Sequence, residues 1–349
     1  LTASVTDYSS AAAALPDEYF LGQIVSFTIC ENDIELEKVR DTLTNLKLRT
    51  DTLRKRLRPI DAFKKAANEI AVKFDRDAAV QGEQHSLLVR PVGQDLAESH
   101  RHIVFERAIF KAGQRRRVEH ETIWKLMYDR GKRQKDGSIV DDQIYAEPQA
   151  LIGGTKLTAA EQAWIDEHIG ANGDKLRARY DHWCTHLDSH AIRTFVREYV
   201  TDLLGGISIK GNAGGLYFVE QKHVGELRDL MTFVKSIGSH MHTIPLLDIV
   251  EQRDMLADAF LQETMDEIRQ QMVEINKILS NPTRTITEDT YDQYLDTAAK
   301  LLGKHKDYAK LLDRNLDTAD TELNIFQQQV LGLFNRVKKP KSLGSGGKK

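Results

Sequence analysis

Apolar residues in the last third of the chain recur at alternating three- and four-residue steps. Leu261, Met265, Ile268, Met272, Ile275 and Leu279 form one run, and Leu316, Ala319, Leu323, Phe326, Val330, Leu333 and Val337 form another. This spacing lines each set along one side of an α-helix and predicts long packed helices. The first would run from Asp254 to Leu279, ~38 Å, and the second from Tyr291 to Val337, ~70 Å if unbroken, at ~1.5 Å rise per residue. Helices so unequal cannot pair along their whole length. Either the second breaks near Gly303 or Asn315, or the surplus seam of Leu316, Leu323, Phe326, Val330 and Leu333 packs on another element or another subunit. The expected arrangement is a long antiparallel helical hairpin over 251–338, followed by a basic, Gly/Ser-rich and disordered tail over 339–349.

Upstream the period changes. Gln23 to Cys30 alternates in a β-rich composition and reads as a strand. From Leu36 a heptad step runs through Val39, Leu43 and Leu46 and can be continued to Leu57, although Thr50-Asp51 could restart a second helix before Pro59. Ala62, Phe63, Ala66, Ile70, Ala71 and Phe74 give a further amphipathic segment. Between about Ser86 and Glu147, four alternating segments (Leu87 to Val92, His102 to Lys111, Val118 to Tyr128, Ile139 to Tyr145) separated by turn residues predict an antiparallel meander. Pro148 to Thr155 reads as a linker, and Thr158 with Glu161 three residues on is a capping-box helix start. Helices to about Leu204, a hairpin of Ile207 to Lys210 with Leu216 to Val219, a helix over Val224 to Ile237 and a strand over His240 to Leu247 complete the middle. The fold class is therefore α+β, with domains expected at 1–150, 156–250 and 251–338.

At 349 residues the chain exceeds one ordinary core. Charged residues make up 29% and hydrophobic ones 41%, and no apolar run approaches the ~18 residues that span a bilayer. The first residues lack a basic start followed by an apolar stretch, so no secretory signal is expected. Two distant cysteines, Cys30 and Cys184, argue against a disulfide framework and fit a reducing, cytoplasmic setting. The formal charge of -3 neither demands nor excludes a nucleic-acid partner.

Three segments, Gly22-Gln23-Ile24-Val25-Ser26-Phe27, Asp61-Ala62-Phe63-Lys64-Lys65-Ala66 and Gly214-Gly215-Leu216-Tyr217-Phe218-Val219, resemble an uncharacterised family of proteins from actinobacteriophages and related mobile elements. The resemblance implies origin and fold, and a bacterial host cell as the setting. It carries over no activity.

The main interaction signal is a basic stretch containing Lys111, Arg115, Arg116, Arg117, Lys125, Arg130, Lys132, Arg133 and Lys135, interleaved with Phe105, Phe110, Trp124 and Tyr128. Cations and π faces in one sheet are what a single-stranded nucleic-acid platform uses, yet the interspersed Glu106, Glu119, Glu121, Asp129 and Asp136 equally describe a solvated face over core aromatics. His182, His186 and His190 fall at four-residue steps, and His240 and His242 share one face of a strand. Either pair could hold a metal, or simply be polar surface. Glu220-Gln221-Lys222 has the carboxylate and lysine spacing of a metal-dependent nuclease but lacks an acid on the adjacent strand. Nothing supports a catalytic assignment or a cofactor. The reading is a non-enzymatic cytoplasmic scaffold or adaptor that self-associates or captures a helical partner through its heptad helices. The alternative is a nucleic-acid-binding or processing protein using the basic sheet.

Overall fold

The computed structural model describes residues 15–53, 57–75, 83–91, 100–111, 114–129, 143–148, 156–170, 173–209, 215–281, 283–313 and 316–337. In chain order the strands are β1 (Phe20–Thr28), β2 (Ile34–Glu35), β3 (Val72–Asp75), β4 (Glu83–Pro91), β5 (His100–Lys111), β6 (Gln114–Asp129), β7 (Gln143–Pro148), β8 (His186–Leu187), β9 (Ile207–Ser208), β10 (Leu216–Glu220) and β11 (His240–Leu247). The helices are α1 (Leu36–Asn45), α2 (Pro59–Glu69), α3 (Ala159–Ile169), α4 (Asp174–Thr185), α5 (Ser189–Glu198), α6 (Val224–Ser236), α7 (Val250–Leu279), α8 (Glu288–Leu312) and α9 (Asp317–Gly332). The class is α+β.

Two compact units divide the chain, one formed by residues 31–42 and 53–191, the other by 1–30, 43–52 and 192–349. The contacts therefore do not divide near residue 150. Strand pairing explains this, because β1 joins β10 and β11, which follow the whole central unit in sequence.

In the central unit β3 to β7 form the meander in sequence order, every neighbour antiparallel. The four expected strands are present, and a fifth, β3, replaces the expected last turn of the preceding helix. Phe63 and Ala66 of α2, Trp164 and Ile165 of α3, and Leu176 and Tyr180 of α4 bury against Leu87, Phe105 and Leu126 of the sheet. The capping box forms as the spacing demands: the Glu161 amide donates to Thr158 Oγ1 at 3.2 Å and the Thr158 amide to Glu161 Oε2 at 2.7 Å. The helix begun at Leu36 ends at Asn45, two residues before Lys47 takes a left-handed φ of 56°.

The other unit has a sheet of order β11-β1-β10-β9, all antiparallel. Gly22 of β1 lies close against β10: an added Cβ would meet the Val219 carbonyl oxygen at 2.0 Å, so no larger residue fits there without a backbone shift. Leu21, Phe218 and Leu246 pack against Leu256 and Phe260 of α7 and Tyr308 of α8, which seats the helices on the sheet.

Those helices are three, not two. Asp313 adopts a left-handed φ of 49° at the end of α8, and α9 turns back against both α7 and α8. Ile268 and Ile275 of α7, Leu301 of α8 and Leu323, Phe326 and Val330 of α9 make one core. The seam left over in the sequence is consumed inside the chain: Leu316, Leu323, Phe326, Val330 and Leu333 are all buried. Of the two alternatives open in the sequence this is the break, placed at Asp313 beside the expected Asn315, and it buries the apolar side of the longer run locally, so the hairpin becomes three helices. Arg336 donates to the Leu279 carbonyl at 3.1 Å and closes the far end of α7. The expected tail lies outside the described residues. Replacing Phe326 by Ala should cost about 3–5 kcal/mol of unfolding free energy in urea while leaving the sedimentation coefficient of the native protein unchanged.

Candidate functional site

A polar recess of the sheet-and-bundle unit is a cavity of about 440 Å³ lined by Thr201 to Gly205, Glu220, Lys222, His223, Glu267 of α7 and Thr297, Lys300, Leu301, Lys304, Asp307 and Tyr308 of α8. Its wall of Thr201, Asp202 and Leu203 belongs to a π-helical turn, Tyr199–Leu203, that continues α5. The Leu204 amide bonds the Tyr199 carbonyl at 3.0 Å, five residues back, and the Gly206 amide bonds Val200 O at 2.9 Å. Such turns cost hydrogen-bond geometry and collect at functional sites. This one is braced from outside: Tyr199 donates to Glu226, and Arg49 bonds both Glu226 (2.9 Å) and the Leu203 carbonyl (2.8 Å). Burial first, then the Glu226 bond, push the Tyr199 phenol up to about 12, so it remains a donor.

Within the recess, Lys304 bonds Glu263 at 2.8 Å and the Gly206 carbonyl at 3.0 Å, while the other Glu263 oxygen accepts from the Ser208 amide. Lys222 pairs with Glu220 at 2.6 Å and lies 3.6 Å from Asp307. Tyr308, stacked on Phe260 at 4.7 Å, donates to Gly205 O at 3.1 Å, and burial holds its phenol well above the ordinary range. Glu267 differs from all of these. It is half-buried and, among the described residues, has no hydrogen bond or ion pair; burial raises its pKa, Glu263 and Asp202 add to the shift, and Lys304 and Lys300 offset it only in part. His223 is shifted the other way, its pKa lowered by burial and then by Lys222, which leaves a neutral imidazole at neutral pH.

The profile of a family of unknown function, DUF6744, matches residues 20–339. The chain belongs to the DUF6744 family. Mediator of RNA polymerase II transcription subunit 20 from Caenorhabditis briggsae is 34% identical over 105 residues, 30% of this chain and 52% of that protein. The chain thus spans about half the length of the curated relative it matches. No solved structure matches it.

In this DUF6744 protein Glu220 and Lys222 reach the same recess as Asp202 and Glu267. The acids that sequence spacing failed to supply come from a π-helical turn and from α7, elements that no local motif links to β10. They do not assemble into a metal centre: among the described residues, the one set of three ligand groups with atoms within 4.8 Å of one another is Glu83, His85 and Glu161, in the central unit. There the cation seat is already filled, because Arg107 of β5 bonds Glu161 at 2.6 Å and lies 3.6 Å from Glu83. Glu161 is the capping residue of α3, so the sequence revealed one of its two tasks.

The sequence-derived candidates disperse. Trp124 is buried in the core of the central unit and presents no stacking face. Lys111 and Arg115, Arg116 and Arg117 fall in β5 and β6, their side chains outside the described residues, as are Arg130, Lys132 and Arg133. The three histidines expected on one helix are split: α4 ends at Thr185, His186 opens β8 and His190 lies in α5. The His182 and His186 rings stack at 3.9 Å and 19°, which sends their nitrogen lone pairs along parallel planes instead of toward one ion. His182 pairs with Asp33 at 3.1 Å. His240 and His242 do share a face of β11, both exposed, with ring centroids 6.5 Å apart. Among the described residues no helix is long and apolar enough to cross a membrane.

Two stability outcomes follow from the contrasting carboxylates. Burial alone would lift Glu161, but the bonds from the Thr158 amide and Arg107 outweigh it and hold the carboxyl below its ordinary range. Its ionised form therefore stabilises the fold above the unfolded-state pKa, and that contribution is lost as pH falls through the lower folded value. Replacing Arg107 by Met should cost about 3–5 kcal/mol at pH 7 in urea titrations and move acid unfolding to higher pH. For Glu267 the sign reverses: its raised pKa makes ionisation destabilising above the folded value. Glu267→Gln should raise the melting temperature at neutral pH, with the gain vanishing below the ordinary glutamate pKa.

Proposed function

We propose that this DUF6744 protein binds a small polar molecule in the recess between the π-helical turn and α8. One observation carries the reading: an unpartnered, half-buried Glu267 and a neutral His223 open into a single cavity of small-molecule size. Perturbed titratable groups gather where a fold holds a binding or reacting group ready, and they cost stability there. Burial raises the pKa of the Glu267 carboxyl and lowers that of the His223 imidazole, disfavouring the charged form of each in the recess. The resemblance to actinobacteriophage proteins suits a site that acts in the cytoplasm of a bacterial host.

A protein-binding role is the second reading, and a specific surface favours it. The helical bundle leaves Val273, Ile325, Leu331 and Phe334 exposed, and Ile325 shares an apolar recess with Leu279 and Gly332. The relative from Caenorhabditis briggsae is by its name a subunit of a larger assembly. Self-association through the heptad seam loses its motive, since those residues are already covered within the chain.

A thermal-shift panel of amines, amino acids, sugar phosphates and dicarboxylates tests the first reading. At least one class should raise the wild-type melting temperature in a concentration-dependent way. Thr297→Trp, which fills the recess from α8, should still unfold cooperatively but lose the shift. A wild-type protein silent to every class would overturn the proposal.

A further inference from the structure

We propose that the molecule held in this recess carries a primary ammonium or guanidinium group on a short aliphatic stem, seated against Glu267. The inference rests on the reading of the recess as a small-molecule site and specifies its occupant. The lining carries more negative than positive groups: Asp202, Glu220, Glu267 and Asp307 face Lys222, Lys300 and Lys304, and Glu263 stands behind Lys304. Two of the lysines are committed. Lys222 is held by Glu220 and Asp307, and Lys304 by Glu263 and a backbone carbonyl, so neither offers its full charge to an incoming anion. Lys300 is exposed and acts on Glu267 only through its field.

What the half-buried side of the recess lacks is a donor on Glu267, since the lining's one uncommitted cation among the described residues, Lys300, is exposed and does not bond it. Glu267 has acceptor capacity with no described group to fill it, Asp202 takes a single bond from Thr201 Oγ1 at 2.9 Å, and the neutral His223 can accept. A ligand ammonium would supply both the hydrogen bonds and the countercharge that a half-buried carboxylate is missing. Leu203, Leu204 and Leu301 add apolar wall along which a methylene stem can lie. An anionic or dicarboxylate molecule would meet the opposite: surplus acceptors of its own sign and, Lys300 apart, lysines it would have to detach from their partners.

Isothermal titration calorimetry at low salt with putrescine and agmatine, and with malate and inorganic phosphate as counter-probes, tests this. The amines should bind and the anions should not. Glu267→Gln should weaken amine binding about tenfold or more, and wild-type affinity should fall as pH drops and Glu267 takes up its proton. Asp202→Asn, in the same lining, should also weaken it and provides a second variant if the first fails to fold. Preference for malate or phosphate, retained in Glu267→Gln but abolished by Thr297→Trp, would overturn the amine assignment and leave the site reading standing. Binding of none of the four overturns the assignment as well, and together with a silent thermal-shift panel it removes the site.

Discussion

β1 is the strand on which the sheet-and-bundle unit depends. It pairs on one side with β10, in the register Gln23 to Val219, and on the other with β11, in the register Ile24 to Ile244. Both partners lie far along the sequence, so the sheet cannot close until most of the chain has been collected, a loop-closure cost repaid only by the pairing itself. The closeness of that pairing is visible at Gly22, where even one added carbon would strike the backbone of β10. Everything at the recess follows from it. β10 ends at Glu220, the next residues present Lys222 and His223, and Phe218 on the same strand anchors Tyr308 of α8 in an edge-to-face contact at 6.4 Å.

The two buried-carboxylate environments make the functional argument sharper than either does alone. At Glu161 the protein supplies a guanidinium, a backbone amide and a hydroxyl, and the acid ionises more readily than in water despite its burial. Around the recess Glu220 and Glu263 are each paired with a lysine. Glu267 receives none of this. Among the described acids lining the recess, Glu267 is the half-buried one given no hydrogen bond or ion pair, in a cavity walled also by the π-helical turn, and on the proposed reading a ligand would complete it.

Much of the architecture was legible because it is carried by periodicity. The heptad runs gave α7 and α9, the alternation between Ser86 and Glu147 gave the meander, and Thr158 with Glu161 gave the start of α3. The break at Asp313 could be anticipated only as one of two ways to resolve a mismatch of lengths, since no proline marks it. The histidine series failed for a comparable reason. A four-residue step implies one face only while the helix lasts, and α4 stops between His182 and His190. The recess was the least visible feature. Its residues come from a π-helical turn, the segment after β10 and two helices, and no spacing rule connects Asp202 with Glu267. The one fragment of it that carries a pattern is Glu220 with Lys222, whose companion acids Asp202 and Glu267 come from a helical turn and a helix and not from a neighbouring strand.

The fate of the apolar seam also shifts where function should be sought. A continuous second C-terminal helix would leave a length of seam that calls for a partner to cover it, and an adaptor is the role that alternative implies. Once α9 folds back, Leu316, Leu323, Phe326, Val330 and Leu333 stabilise the chain itself. The bundle then serves as a rigid wall: α7 carries Glu267 and α8 carries Lys304 and Tyr308, with Ile268 and Leu301 in the core beneath fixing the positions of both helices. Side chains mounted on packed helices hold their geometry better than those on loops. The same heptads that read as an interface in the sequence thereby become the reason the recess has a fixed shape, and the charge left unmatched inside it becomes the most specific chemical statement this protein makes.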